Sequence, residues 1–485
     1  MARTWNPSVL PLVLWVAAMA SIAAGAAALL PWSGPSLDFA HGNSVAAHIS
    51  DRALTPLPVI QNAAGAWPLL IAFLLGFALA CWAYVAVLRA PNLSLRHVWF
   101  AFGLGVVAVL AIPFFPTSDP YAYALYALEA GPLHLNPYAS VSLAGSALPW
   151  AAPLAALFPD PAAYVRQCNY GPVAVFAYAA LALPLAHQPL LAFLYAERFF
   201  GAVCVAVAGA LLASGGADAD RAKRLASYVL HPLVLCEFVA FAHGDALMLA
   251  LLAAAFACWR REAFGWAAAL CVAAVATRSV AVLALLAIVL VLLRDRPRAL
   301  PRALGGALLA ACAIGAASLA AFGEVSLGGA PAFNRFASPL SFAATLFDGS
   351  APLVTAVFAQ AALGIALAAI VFRRWWLRRD GLAWLSFAAL AGLPAIYPHY
   401  LGWVAGVAAT RPGPRLEAVA RVATFAAPLW YVARMNLIAP PQPSELAYGL
   451  ALALTWGSAL LALVLLRIPG AAGLPSFLRP HAESA

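Results

Sequence analysis

The chain has 485 residues, of which 65% are hydrophobic and 9% charged, and its mean hydropathy is +0.91. Water-soluble globular proteins carry about a quarter charged residues, so a soluble class is excluded. The formal charge of +9 does not mark a nucleic-acid binder, because the arginines sit in short clusters between apolar runs, the positive-inside pattern of membrane proteins. A β-barrel is excluded too, since it needs alternating polarity rather than long Ala/Leu/Val runs.

In chain order, apolar segments fall at about 8–30, 67–88, 97–113, 170–186, 190–212, 224–241, 245–259, 264–277, 279–293, 303–322, 351–372, 382–396, 400–410, 416–433 and 445–467. Roughly 20 apolar residues span a bilayer as a helix. The pattern therefore predicts an all-α polytopic bundle of about 13–15 membrane helices. Several segments are short, which predicts broken or tilted helices. Arg3 and the long run Val9 to Leu30 predict an uncleaved first span rather than a signal peptide. Residues 1–467 read as one transmembrane domain, and residues 468–485 as a disordered cytoplasmic tail.

The Arg clusters set the orientation. Arg260 and Arg261, Arg294 to Arg302, Arg373 to Arg379, and Arg411 with Arg415 are placed in the cytoplasm. Loops 31–66, 114–169, 242–244, 323–350, 397–399 and 434–444 then face outward, as does the position near Arg278. One stretch breaks the count. Between Tyr170 and Ser214 the chain must cross an odd number of times, yet two apolar runs meet at His187-Gln188-Pro189. A half-crossing helix repairs it; a loop that breaks the charge rule is the alternative. Within the first outer loop, Ala147–Phe158 is apolar but too short to span and is expected to lie in the interface.

Few polar residues remain, and they gather at outer segment ends. Asp119 follows an apolar run, in Ser118-Asp119-Pro120-Tyr121-Ala122-Tyr123. A carboxylate there can take the proton of an acceptor hydroxyl; it can equally cap the helix that Pro120 begins. His243-Gly244-Asp245 suits a metal or a phosphate head group, or a tight turn with a capping acid. Arg278 interrupts an apolar run near an outer end. Its guanidinium suits a lipid phosphate, against simple snorkelling. Arg335 is a weaker phosphate candidate. Glu197-Arg198, deep in an apolar run, reads as a structural pair. Tyr397-Pro398-His399-Tyr400 is an aromatic cluster in which His399 can meet a phosphate or a hydroxyl. The seven cysteines form no CxxC pattern and read as small buried hydrophobes. No P-loop, dinucleotide fingerprint, HExxH or GxSxG occurs, and no cytoplasmic loop is large enough for a nucleotide-binding domain. An activated donor would thus be lipid-borne. A lipid flippase or glycan transporter is the competing class; it predicts inverted repeats meeting at the midplane, and no repeat is visible.

Taken in order, Ser118-Asp119-Pro120-Tyr121-Ala122-Tyr123, Gly131 to Asn136-Pro137-Tyr138, Tyr170-Gly171-Pro172, His231-Pro232 with His243-Gly244-Asp245, Thr277-Arg278 and Tyr397-Pro398-His399-Tyr400 resemble the GT-C superfamily of integral-membrane glycosyltransferases. Within it the chain is most similar to polyprenol-phosphate-mannose-dependent α-1,6-mannosyltransferases. The resemblance spans about residues 110–405, with a GT-C-like core at about 97–410. It implies a catalytic first loop on the non-cytoplasmic face of the inner membrane, holding interfacial helices. It also implies an inverting transfer of mannose or a similar sugar from a polyprenyl-phosphate donor to a glycan or lipid acceptor. Asp119 matches the family's base. Arg278, His243, His399 and Arg335 are then expected at the donor phosphate, and Tyr121, Tyr123, Asn136, Tyr138, Tyr170, Asp245 and Tyr397 at the substrates. Arg278 stands where the family usually has Lys, and Gly244 departs from a common His-Asn-Asp. Some GT-C enzymes use a divalent metal; whether Mg2+ or Mn2+ serves here is left open by the sequence.

Overall fold

The structure is a computed structural model that describes residues 9–29, 67–112, 119–139, 146–151, 154, 168–214, 218–326, 397–410 and 414–431, with single helical positions at 362, 366 and 369. Every described element is helical. In chain order these are α1 (Val9–Leu29), α2 (Trp67–Arg89), α3 (Leu95–Leu110), α4 (Asp119–Ala130), α5 (Pro172–Ala182) and α6 (Leu190–Ala213). They continue with α7 (Asp218–Val229), α8 (Pro232–Leu235), α9 (Asp245–Arg260), α10 (Phe264–Val275), α11 (Val282–Asp295), α12 (Leu300–Phe322), α13 (Pro398–Ala409) and α14 (Pro414–Ala426). Three of the described helices are long and apolar enough to cross a membrane: Ile71–Arg89, Leu190–Ala213 and Pro297–Phe322. Apart from positions 362, 366 and 369, the segments expected at 351–372, 382–396 and 445–467, together with Arg335 and the tail 468–485, lie outside the described residues.

Packing follows from which faces are apolar. Helix α1 packs along α2 and α3, α6 along α9, and α10 along both α9 and α12. Helix α12 is hydrophobic yet turns most of its surface outward, with Leu304, Leu308, Leu309 and Leu319 at least half exposed. An apolar surface of that extent is stable against lipid, not water. Polar links bind the helix ends. Arg198, buried on α6, donates to the Leu110 carbonyl at 3.1 Å and the Ile112 carbonyl at 2.9 Å. It thereby satisfies carbonyls that the end of α3 leaves without helical partners. Arg260, at the end of α9, donates to the Leu211 carbonyl at 2.7 Å and the Ser214 hydroxyl at 2.6 Å, closing the end of α6 in the same way.

The continuous segment expected at 224–241 is broken. Helix α7 ends at Val229, and His231 is extended, its Nδ1 accepting from the Leu233 amide at 3.2 Å. Pro232 then opens α8 at a first-turn position, where its missing N–H costs nothing. A π-turn follows over Cys236–Ala240. Gly201 of α6 and Gly402 of α13 clamp that turn at Phe238. A Cβ at Gly201 would collide with the Phe238 carbonyl, and one at Gly402 with the Phe238 ring. Only glycine permits so close an approach.

The segment expected at 279–293 also starts differently. Arg278 is extended, a 3-10 turn covers Ser279–Ala281, and α11 begins at Val282. Helix α5 has 11 residues and runs on as a 3-10 turn over Leu183–Leu185, about 22 Å in all at the two helical rises, short of the hydrocarbon thickness of about 30 Å. Where the chain turns after it, the buried Trp150 indole donates to the Gln188 carbonyl at 2.7 Å. The turn before α6 therefore rests on the loop that follows α4. Half of the interfacial segment expected at Ala147–Phe158 lies outside the described residues.

Candidate active site

Helix starts and one extended loop converge on a single cluster. Asp119 begins α4, His243 and Asp245 flank the start of α9, Arg278 lies between α10 and α11, and His399 is in the first turn of α13. Helix N-termini carry partial positive charge, which favours the two carboxylates there. Helix α9 runs away from the cluster to Arg260, and α10 brings the chain back to Arg278.

The loop before α9 is shaped to aim His243. Its amide donates to the Glu237 carbonyl at 2.9 Å, and Ala242 sits at φ 52°, a conformation that non-glycine residues seldom adopt. The His243 ring is buried. Its Nδ1 lies 3.0 Å from the Glu237 main-chain carbonyl and 3.2 Å from Glu237 Oε2. That makes Nδ1 the protonated donor and points Nε2 at Asp119 Oδ2, 3.3 Å away. Burial works against charge on this imidazole, yet the Asp119 and Glu237 carboxylates outweigh it and raise its pKa to about 10. Glu237 is itself fully buried. The Tyr431 hydroxyl donates toward its two carboxylate oxygens, 2.9 and 3.0 Å away.

A second arm runs through Asp245. Arg278 Nε donates to Asp245 Oδ1 at 3.0 Å, and His399 Nε2 lies 3.8 Å from Asp245 Oδ2. The guanidinium sits over the Tyr170 ring, Cζ to centroid 4.1 Å, with Tyr400 at 5.6 Å. Both contacts use the planar fork of arginine, which lysine lacks. Neither Nη nitrogen has an acceptor among the described residues, and the side chain keeps 13% exposure. The His243 and His399 rings stack at 4.1 Å and join the two arms. Asp119 is the open member, its side chain 40% exposed beside a histidine only 1% exposed.

Tyrosines wall the cluster. Tyr123 and Tyr170 share a hydrogen bond of 2.7 Å, Tyr123 stacks on Tyr178 at 5.2 Å, and Tyr397 stacks on His399 at 5.6 Å. Gly244 leaves room for Tyr178, because a Cβ there would strike the Tyr178 hydroxyl. Other residues expected at the substrates make their contacts elsewhere. Tyr121 is buried on α4. Asn136 donates to the Phe322 carbonyl at 3.1 Å and to Glu324 at 2.7 Å, and the Tyr138 ring meets Phe322 edge-on. Both therefore engage the end of α12.

Sequence reasoning missed Glu237 and Tyr431. Glu237 had a signal, a lone acid inside Val234-Leu235-Cys236-Glu237-Phe238-Val239, since ionisable residues in apolar segments are costly and tend to be functional. Tyr431 had none, being 194 positions away in the chain.

A family model described as alpha-(1->6)-mannopyranosyltransferase, N-terminal domain, matches residues 13–294. The chain belongs to this family. It is thus a membrane glycosyltransferase of mannosyltransferase type. Asp119, Glu237, His243, Asp245 and Arg278 lie inside the matched region, whereas His399 and Tyr431 lie beyond it. No curated protein and no solved structure matches the chain.

Proposed function

We propose that this mannosyltransferase takes its sugar from a polyprenyl-phosphate donor and passes it to a glycan or lipid hydroxyl on the non-cytoplasmic face of the inner membrane, with inversion at the anomeric carbon. The observation that carries the reading is the half-open Asp119 at the edge of a buried cluster that also contains Arg278. The acceptor hydroxyl loses its proton to Asp119 while its oxygen attacks the anomeric carbon. The bond from that carbon to the phosphate oxygen breaks on the opposite face, and the polyprenyl phosphate leaves with the electron pair.

His243 keeps Asp119 ionised and aimed, since an adjacent imidazolium favours the carboxylate. Arg278 is fixed by Asp245 and Tyr170 but retains its Nη pair for the phosphate, where charge develops as the bond breaks. Tyr397, partly exposed at the start of α13, offers a ring face for a sugar, and the apolar helices offer a path for the prenyl tail. The orientation rests on the arginines. Arg260, Arg261 and Arg294 to Arg302 lie away from the cluster along α9, α11 and α12, and positive-inside logic puts them in the cytoplasm. The family supports sugar transfer in general; the chain's apolar surface, and the sequence's lack of a nucleotide-binding signature, support a lipid-borne donor.

Asp119→Asn keeps the shape and removes the base. In membranes given radiolabelled polyprenyl-phosphate mannose, its transfer rate is expected to drop by about 100- to 10,000-fold, the usual contribution of a general base. Transfer at the parental rate by a correctly folded Asp119→Asn protein refutes the catalytic role.

A further inference from the structure

The cluster has a property that sugar transfer alone does not explain. Asp119, His243 and His399 each offer one ligand atom, and the three atoms lie within 4.8 Å of one another. Two ligand atoms bound at about 2.1 Å to one tetrahedral ion stand about 3.4 Å apart, and His243 Nε2 lies 3.3 Å from Asp119 Oδ2. A charge-assisted hydrogen bond would draw them closer, to roughly 2.7–2.9 Å.

Two further observations point to a cation. Histidines that bind metals usually give the other ring nitrogen to a carbonyl or carboxylate, which fixes the tautomer. Here Nδ1 of His243 has both from Glu237, and Tyr431 holds Glu237 in turn. The charges are also unbalanced. Asp119, Glu237 and Asp245 face one guanidinium, Arg278, and even with His243 as an imidazolium the cluster keeps a net negative charge. Such a pocket repels the phosphate that it is proposed to receive.

We infer that Asp119, His243 and His399 form a site for one divalent transition-metal ion. With two nitrogens and one oxygen, the donor set suits Zn2+ or Co2+ better than Mg2+, Ca2+ or Mn2+, which prefer oxygen ligands. A dication here offsets the excess negative charge, takes the place of the proton between Asp119 and His243, and leaves positions open for a phosphate oxygen. The second Asp119 oxygen stays available to the acceptor. This use of the ion rests on the sugar-transfer reading; the binding itself does not.

The test uses the full-length protein in nanodiscs, stripped with chelator and titrated with Co2+ followed by visible absorption, and with Zn2+ and Mg2+ by calorimetry. One equivalent of Co2+ with the intense bands of a low-symmetry site is expected, and Zn2+ should bind at least 100-fold more tightly than Mg2+. His399→Gln and Asp119→Asn should each weaken Zn2+ binding by 100-fold or more. Tyr431→Phe, which touches no ligand atom, should weaken it by about 10- to 100-fold through Glu237. Thermal unfolding of each variant without metal shows that it is folded. No stoichiometric Co2+ uptake by the parent, Zn2+ affinity unchanged in folded His399→Gln, or Mg2+ binding as tight as Zn2+ would overturn the inference. Because binding is read without substrate, loss of mannosyl transfer from polyprenyl phosphate would leave this result intact.

Discussion

Individual residues in this protein are placed by how they dispose of charge. Glu129 shows the cost when a carboxyl has nowhere to put it. It is 2% exposed on α4, and its Oε2 has no hydrogen bond among the described residues. Burial raises its pKa to about 8. The folded protein therefore holds this proton more tightly than the unfolded chain does, so stability is greatest below the unfolded pKa and falls as pH rises toward 8. Glu129→Gln should match the parent at pH 4.5 and exceed it increasingly above that. The gain should level off past pH 8 at on the order of a few kcal/mol, read as a rise in unfolding temperature. Arg278 illustrates the opposite case. Its charge is placed between Asp245 and two tyrosine rings, which is why a flat cation serves there. The sequence marked Asp119, His243, Asp245, Arg278 and His399 because each is a polar residue at an apolar segment end. It could not show that Arg278 pairs with Asp245 while His243 turns to Asp119, since those pairings depend on how separate helices meet.

Breaks in the helices are what bring the elements to the site. Pro232 and the π-turn let the chain leave α7, reach into the bundle and return as α9, with His243 at the turn. The turn is held by two glycines that meet different parts of Phe238. Gly201→Ala and Gly402→Ala should each destabilise by about 1–3 kcal/mol, as overpacking does. In a Phe238→Leu background the penalty of Gly402→Ala should shrink, because the ring it strikes is gone. The penalty of Gly201→Ala should persist, because it strikes the backbone. A double-mutant cycle on unfolding temperature separates the two. The proline was visible in the sequence as a break signal, but the apolar run around it read as continuous; the π-turn depends on partners in α6 and α13.

Along the described helices α9 to α11, the polar cluster and the arginine clusters occupy opposite ends. The short α5 bears on the crossing count. With its 3-10 extension to Leu185 it covers about 22 Å of a hydrocarbon core of about 30 Å, and the turn at Gln188 rests on Trp150 from the loop after α4. If α5 enters and leaves on one side, α6 makes the single crossing that the arginine pattern requires. In a Cys312→Ala background, a cysteine introduced by Ala139→Cys should react with an impermeant maleimide in intact cells. One introduced by Arg261→Cys should react only after permeabilisation. The reverse pattern would turn the proposed orientation over.

Length, hydropathy and the spacing of arginines determined on their own that this is a helical membrane protein whose sparse polar residues stand at helix ends. These are local properties of the chain, and the energy of leaving water makes them decisive. Tertiary structure decided the pairing. It turned His243 between Asp119 and Glu237, set Tyr431 behind Glu237 from 194 positions away, and drew His399 onto the same histidine. No local pattern encodes such contacts, because each exists only once helices distant in sequence have packed and left a buried charge that must find its partner.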